Sequence, residues 1–293
     1  MKDFTVDNVT RTNTASGIGA LAFGHDNNVT GNYGVGIGIT NTVSGGAGIA
    51  LGGEHTVTAN YAVAEGYGNH STAYNTHAEG YQTNATKNSA HSEGNSTTAS
   101  GNSSHAEGYN TTASAQSAHA EGYSSEATGS ATHAEGYGTH ATATGAHAEG
   151  KQTTASGNYS HAGGVGTTAN SLSQTVFGEY NAVDSGYTAS NVRGTYVEIV
   201  GNGSDAQNLS NARTLDWNGN EWLAGKVSVG SSSTPPTINA NNELTTKKYV
   251  DDSIAAAIDT ATDSVSGRLG YITIGSTRLT EAQLIKLLQL IED

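Results

Sequence analysis

The chain has little of what builds an ordinary globular core. It has no cysteine, which excludes a disulfide framework and thiol chemistry. Aromatic residues are 6% of its 293 residues, and no apolar run reaches the roughly 18 residues needed to cross a membrane, so we expect no membrane insertion. Lysine and arginine number 12 against 26 acidic residues, which gives a net charge of −14. With no basic patch, this charge argues against a nucleic-acid partner.

Proline is also scarce, with two residues, whereas glycine is abundant, with 39. Together with many Ser, Thr and Asn residues, this composition is typical of disordered chains, but the strict repeat described next argues against disorder. The first ten residues, MKDFTVDNVT, lack the apolar segment of a signal peptide. We therefore expect a protein made in the cytoplasm without a signal peptide.

A repeat of 14 residues runs in unbroken register from residue 21 to 188, after a lead-in over residues 1–20. With Leu21 as position zero, position three is glycine in all twelve repeats, and position eight is mostly Val or Ala. A glycine at every repeat indicates a corner with positive φ or a close approach of two backbones. Fourteen residues are too few for a helical hairpin. We predict a mostly β fold, in which each repeat is one coil of a parallel β-solenoid with two short strands.

Histidine and glutamate recur at positions zero and two, which lie on the same face of a strand. The two columns they form are His77, His91, His105, His119, His133, His147 and His161, and Glu65, Glu79, Glu93, Glu107, Glu121, Glu135 and Glu149. Earlier repeats fill the same positions with apolar pairs such as Leu21 and Phe23, so we expect the whole face to be buried. A single thin coil has no room for such side chains, and a homotrimer around a shared axis would provide it.

Seven glutamates and seven histidines match completely only if each glutamate pairs with the histidine of the next coil, from Glu65–His77 through Glu149–His161. As ion pairs these contacts would raise the histidine pKa on folding. Two other interpretations stay open, a solvated face without a role and a transition-metal site. The spacing lacks the HxH pattern, and each histidine already has a glutamate nearby. We therefore assign no metal, no cofactor and no catalytic residue, and expect no enzyme.

The repeats GIALGG, VAEGYG and SHAEGYNTTAS resemble the head repeats of YadA-like trimeric autotransporter adhesins, whose pattern is roughly S-V-A-I-G-x-x-S-x-A-x-G. Here His replaces Val and Glu replaces Ile in the middle coils. In that respect the chain resembles the SHAEG repeats of phage and prophage tail-fibre and minor structural proteins of Gram-positive hosts. The resemblance covers about residues 7–188 and implies a left-handed, homotrimeric β-roll.

The remainder divides into four segments. Residues 189–230 predict a small β-module, with a strand at 195–200 and a hairpin turning at Asn218-Gly219. Its two tryptophans, Trp217 and Trp222, are expected mainly in the core of this module, with receptor contact as the alternative. Residues 231–242 are a linker, 243–268 a short trimeric coiled-coil helix, and 269–293 a strand followed by a helix.

These features predict a structural or adhesive trimeric fibre protein in the tail of a phage virion. Its expected partners are itself, other tail or baseplate proteins, and a host cell-surface polysaccharide or protein. The tyrosines at position four, above all Tyr109, Tyr123 and Tyr137, are candidate receptor contacts. The alternatives are a bacterial trimeric surface adhesin and a non-adhesive solenoid such as an ice-binding protein, which would need a regular threonine array.

Overall fold

The computed structural model describes residues 12–185, 189–225, 271–274, 277–280, 282–283, 285–286 and 289. The chain divides into two compact units, Met1–Ala224 and Gly225–Asp293. The described part of the first unit is built from strands alone, in two sheets whose neighbouring coils pair in parallel.

Each coil of the first unit contributes one short and one long strand. The short strands form a 12-stranded sheet and are β1 Thr14–Ala15, β3 Asn28–Val29, β5 Thr42–Val43, β7 Thr56–Val57, β9 His70–Ser71, β11 Asn84–Ala85, β13 Thr98–Ala99, β15 Thr112–Ala113, β17 Glu126–Ala127, β19 His140–Ala141, β21 Thr154–Ala155 and β23 Thr168–Ala169. The long strands open a second sheet and are β2 Leu21–His25, β4 Val35–Ile39, β6 Ile49–Gly53, β8 Val63–Tyr67, β10 His77–Tyr81, β12 His91–Asn95, β14 His105–Tyr109, β16 His119–Tyr123, β18 His133–Tyr137, β20 His147–Lys151, β22 His161–Val165 and β24 Thr175–Glu179.

The strands pair with a constant offset of 14 residues, so each side chain lies above its equivalent in the next coil. In β10 and β12, for example, His77 is opposite His91 and Glu79 is opposite Glu93. The prediction of a parallel β-solenoid with 14-residue coils is confirmed. The coils begin before residue 21, because β1 already pairs with β3 in the same register.

The core of the solenoid is a narrow column of small side chains. Position one of the long strands and position eight of the short strands point inside, and both are fully buried in the middle coils, as at Ala120 and Ala127. The first coils place the larger Val29, Val43 and Val57 at position eight. Position eight was predicted to face inward, whereas the small residue at position one was not recognised as core.

A buried polar column at position six satisfies the backbone where the two strands meet. Asn41 is fully buried and donates from Nδ2 to the Asn27 Oδ1 at 2.8 Å and to the carbonyl of Gly52 at 3.1 Å. The Asn41 Oδ1 in turn accepts a hydrogen bond from the His55 backbone N–H at 3.1 Å. Threonine or serine takes this position in the middle coils, as at Thr97 and Ser125. In the first coils the column therefore ties each coil to the next, whereas in the middle coils the Oγ1 atoms of Thr83, Thr139 and Thr153 have no hydrogen-bond partner among the described residues.

The glycine at position three forms the predicted corner. All twelve have φ between +96° and +129°. A Cβ there would overlap the carbonyl oxygen of the equivalent glycine in the next coil, as Gly122 shows against Gly136. Both sequence-based reasons for glycine, positive φ and close backbone approach, hold at the same residue.

The long-strand sheet continues beyond the repeats. Strand β25 (Tyr196–Asn202) pairs in parallel with β24, Thr175 opposite Glu198, so it adds one further rung after a longer connection. Strands β26 (Asn211–Asp216) and β27 (Glu221–Leu223) then follow in antiparallel order, and a hairpin lies at Asn218-Gly219 as the sequence indicates. This segment extends the sheet of the solenoid within the first unit.

In the second unit, β28 (Tyr271–Ile274) and β29 (Thr277–Thr280) form an antiparallel pair. The second of these strands was not predicted from the sequence. Residues 282–283, 285–286 and 289 are helical. The predicted linker at 231–242 and coiled-coil helix at 243–268 lie outside the described residues. Over the described part of the chain, no helix is long and apolar enough to cross a membrane.

Candidate functional site: the histidine and glutamate columns

The two columns lie on the outer face of the long-strand sheet. Within β16, His119 and Glu121 are half-buried and flank the fully buried Ala120, because successive side chains of a strand alternate between its faces. Side chains in the columns keep roughly a third of their surface exposed, for example 35% for His133 and 28% for Glu121. The coil itself therefore does not bury them, and the expected burial would have to come from outside this chain.

The histidine column, His77 to His161, is a continuous stack of rings. Six successive pairs have ring centroids 4.6–4.9 Å apart and ring planes within 9° of parallel. The strand spacing of about 4.8 Å produces this stack directly, since each ring sits one strand above the last. At the end of the column, His161 meets Phe177 edge-on at 4.9 Å.

Contacts between the two columns run both within and between coils. The predicted between-coil pairing occurs at 3.4 Å for His133 Nε2 to Glu121 Oε1 and at 3.2 Å for His161 Nε2 to Glu149 Oε1. Between-coil contacts also join His105 to Glu93 and His147 to Glu135. Within-coil contacts, at 3.6–3.8 Å, join His77 to Glu79, His91 to Glu93 and His105 to Glu107.

The predicted rise of the histidine pKa is wrong for His91, His119 and His133. Partial burial of each ring lowers its pKa, and the stacked neighbouring histidines lower it further, as His77 and His105 do for His91. The glutamates raise it by less. A protonated ring would place its charge one strand spacing from the next ring, so neutral imidazole is favoured in these coils.

Hydrogen bonds between neighbouring carboxyls shift the pKa of four glutamates in the middle of the glutamate column. The pKa of Glu93 is raised to about 7, mainly by its hydrogen bond with Glu107 and to a smaller extent by that with Glu79. The pKa of Glu121 is also raised to about 7, mainly by its hydrogen bond with Glu107 and to a smaller extent by that with Glu135. The same bonds lower the pKa of Glu107 and Glu135. The pKa is thus raised and lowered in alternation from Glu93 to Glu135, which lie with Glu79 along an open groove of about 660 Å³. The groove is an acidic surface whose charge changes near neutral pH.

The two columns continue as an apolar stripe at both ends. Position two is Phe23, 67% exposed, and Ile37, 38% exposed, in the first coils, and Phe177, 39% exposed, in the last. Position zero holds Leu21, Val35, Ile49 and Val63 before the histidines begin. One face of the solenoid therefore carries a stripe that is apolar in the first coils, His/Glu in the middle coils, and ends with Gly163, Thr175 and Phe177.

The candidate receptor tyrosines form a second stack, at position four. Tyr109, Tyr123 and Tyr137 have ring centroids 5.1 and 4.8 Å apart, and each is 44–51% exposed. Tyr67 and Tyr81 occupy the same position and form a similar stacked pair, with ring centroids 5.7 Å apart. Because the inner ring faces cover one another, the stack presents ring edges and hydroxyls to solvent. Hydroxyl hydrogen bonds, rather than a sugar lying flat on a ring, are the contacts it can offer.

The two tryptophans differ in environment. Trp222 is 56% exposed, so a core position is wrong for this residue. Trp217 is half-buried, with the Arg193 guanidinium 4.3 Å from its ring centroid. Trp222 lines an open groove of about 490 Å³ with Tyr196, Asp216 and Asn220. Trp222, Asp216 and Asn220 are close in sequence around the predicted hairpin turn, so their proximity could be expected. Tyr196 is distant in sequence and reaches the groove only because β25 pairs with β26.

The comparisons with known proteins add no family to this description. The chain matches no protein-family model, and no curated protein is significantly similar to it.

Proposed function

We propose that this β-solenoid repeat protein is a homotrimeric structural and adhesive fibre protein of a phage tail, which binds a host-cell surface or presents a binder to it. The observation that carries the proposal is the stripe of positions zero and two. It runs through twelve coils on the outside of a core that is already complete. A fold needs no such stripe for its own stability, so we infer that further copies of the chain cover it.

The chemistry of the stripe suits identical copies. Side chains such as Phe23 and Phe177 lose apolar surface to water only if another surface covers them, at roughly 25 cal/mol per Å². The middle coils carry donors and acceptors together, His119 beside Glu121, so the stripe complements itself. The number three and the phage-tail setting rest on the resemblance of the repeats to YadA-like heads and SHAEG fibre repeats.

The absence of native cysteine makes the interface directly testable. Leu51 lies at position two of the stripe and Thr56 lies in β7 of the opposite sheet, five residues on. With a short bis-maleimide, Leu51→Cys should give covalent dimers in high yield, whereas the matched control Thr56→Cys should stay monomeric on a denaturing gel. Equal cross-linking of the two variants, or none for Leu51→Cys, would contradict the proposed interface.

Adhesion is proposed for the tyrosine stack and the groove beside Trp222, both of which offer aromatic and hydroxyl groups to a cell-surface polysaccharide. The test is binding to purified Gram-positive cell-wall polysaccharides. Replacing Tyr109, Tyr123 and Tyr137 by Ala, or Trp222 by Ala, should weaken binding at least tenfold. Tyr159→Ala is the matched control, since Tyr159 is 64% exposed and belongs to neither surface. Unchanged binding in both test variants would remove these surfaces from the proposal.

The ice-binding alternative receives less support. It needs a flat, regular threonine array, and position seven of the short strands is the best candidate column. That column is interrupted by His70, Asn84, Glu126 and His140 between its threonines. We likewise propose a non-catalytic role for the His/Glu columns, because catalytic sites are single constellations and not series of equivalent ones.

A further inference from the structure

The stacking of coils brings together groups that are far apart in the sequence, and four sets of them could ligate a metal ion. Each set joins a histidine, the glutamate two residues on and the histidine of the next coil, with one ligand atom from each within 4.8 Å of the others. The sets are His77/Glu79/His91, His105/Glu107/His119, His119/Glu121/His133 and His147/Glu149/His161. Spacing along one strand contains no HxH pattern, because the second histidine comes from the neighbouring coil.

A second observation points to a ligand at these sets. The Nε2 atoms of six stacked histidines are shielded from solvent and make no contact with hydrogen-bond geometry within the described coils, although a glutamate oxygen lies 3.4–3.8 Å from five of them. They are His77, His91, His105, His119, His133 and His147. A shielded nitrogen without a hydrogen bond has lost its hydration, and nothing in the described part of the chain offsets that loss. The column repeats this deficit at six levels, and a bound cation would offset it.

The separations between histidine and glutamate suit a small divalent ion, whereas the two stacked rings of a set lie 4.6–4.8 Å apart and must rotate about 1 Å closer to share it. One histidine Nε2 and one glutamate oxygen lie 3.6 Å apart in the set at His77, 3.7 Å apart in the set at His105, 3.4 Å apart at Glu121–His133 and 3.2 Å apart at Glu149–His161. Tetrahedral zinc, with bonds of about 2.0–2.2 Å, holds its ligand atoms about 3.4 Å from one another. Two imidazoles and one carboxylate are also a ligand set that zinc accepts, with water as the fourth ligand.

We propose that the His/Glu columns bind Zn²⁺, with three ions per chain. Four sets exist, but two of them share His119, and one Nε2 lone pair can serve only one ion. The sets at His77 and at His147 fill independently, and His119 joins either His105 or His133. Every ligand set lies within one chain, so the inference does not depend on the proposed trimer.

The shared histidine gives a test in which two similar substitutions have different outcomes. The chain is loaded with excess Zn²⁺, desalted, and its zinc is measured by plasma mass spectrometry. Wild type should retain three ions per chain. His119→Gln should retain two, because both central sets lose a ligand. His105→Gln should still retain three, because His119 then serves the set with His133. His140→Gln, at position seven of the opposite sheet, is the matched control and should also retain three.

Two results would overturn the proposal, namely wild type that retains no zinc and a His119→Gln variant that retains as much as His105→Gln. If His119→Gln does not fold by circular dichroism, His77→Gln replaces it, since it removes a separate set and should also leave two ions. A further readout uses wild type alone. Titration with Co²⁺ should produce visible absorption bands of a four- or five-coordinate ion, and a spectrum like that of aqueous Co²⁺ would reject the ligand sets.

Discussion

Replacing one corner glycine in the middle of the solenoid should remove a large share of its stability. Gly122 has φ +96°, which alanine rarely adopts, and an added Cβ would overlap the Gly136 carbonyl oxygen and lie 3.1 Å from its carbonyl carbon. Backbone strain of this kind costs about 1–3 kcal/mol. Forcing a methyl group into occupied space costs about 1–3 kcal/mol more. We therefore expect Gly122→Ala to lower the free energy of unfolding by about 2–6 kcal/mol, out of roughly 5–15 kcal/mol for a typical domain.

The matched control is Gly138→Ser, one coil further on. Gly138 also has positive φ, +63°, but a Cβ there meets only the Gln152 Cγ, at 3.9 Å. The equivalent residues of the neighbouring coils, Ser124 and Gln152, already adopt φ of 51° and 55°. This variant should stay within about 1 kcal/mol of wild type.

The assay is guanidinium denaturation followed by far-ultraviolet circular dichroism, at one fixed protein concentration because association contributes to stability. A Gly122→Ala variant as stable as Gly138→Ser would show that the coils can move apart freely. The close-stacking explanation of the repeated glycine would then be wrong.

Two further predictions concern the polar columns. Glu121→Gln should stabilise the protein by about 1 kcal/mol at pH 8 and have little effect at pH 5, when both are measured with a chelator present. The folded pKa of Glu121, about 7, exceeds the ordinary 4.5, so its contribution to the free energy of unfolding is full at low pH and is lost as pH rises through 7, whereas Gln donates its hydrogen bond at every pH. Glu126→Gln on the opposite sheet is the control. Equal effects of Glu121→Gln at both pH values would refute the shared proton. Asn41→Ala should cost about 3–5 kcal/mol, because it leaves the Gly52 carbonyl and the His55 backbone N–H without the partners that Asn41 supplies. Asn41→Thr, which copies the middle coils, should cost less, and equal losses by thermal melting would contradict the role assigned to this column.

Strict periodicity made the solenoid predictable from sequence. The glycine at position three and the small residue at position eight each have one physical explanation, and both are observed, at Gly122 and Ala127 for example. The alanine at position one was missed because the large apolar pairs at positions zero and two suggested the core instead. Such side chains cannot fit in a coil whose interior is already filled by alanine and, in the first coils, valine side chains. They lie outside it, where the sequence of one chain does not reveal what covers them.

The chemistry of the columns was harder to predict. The count of histidines and glutamates indicated pairing between coils, but the structure has contacts within coils as well, at His91–Glu93 for instance. The direction of the pKa shift was wrong for His91, His119 and His133, because a sequence shows which charges are near in register but shows neither the partial burial of the rings nor their stacking. Strand β25 was predicted as a strand, whereas its pairing with β24 depends on the connection between them and could not be read from a 14-residue period.

The central claim is that identical copies cover the stripe of positions zero and two, and the native mass of the purified full-length chain tests it most directly. Light scattering coupled to size-exclusion chromatography should give about three times the chain mass of 29.8 kDa, independent of dilution over the micromolar range. Phe23→Lys and Ile37→Lys together should shift the mass towards the monomer, because they place charges in the covered face. A wild-type chain with the mass of a monomer, folded and stable, would contradict the account.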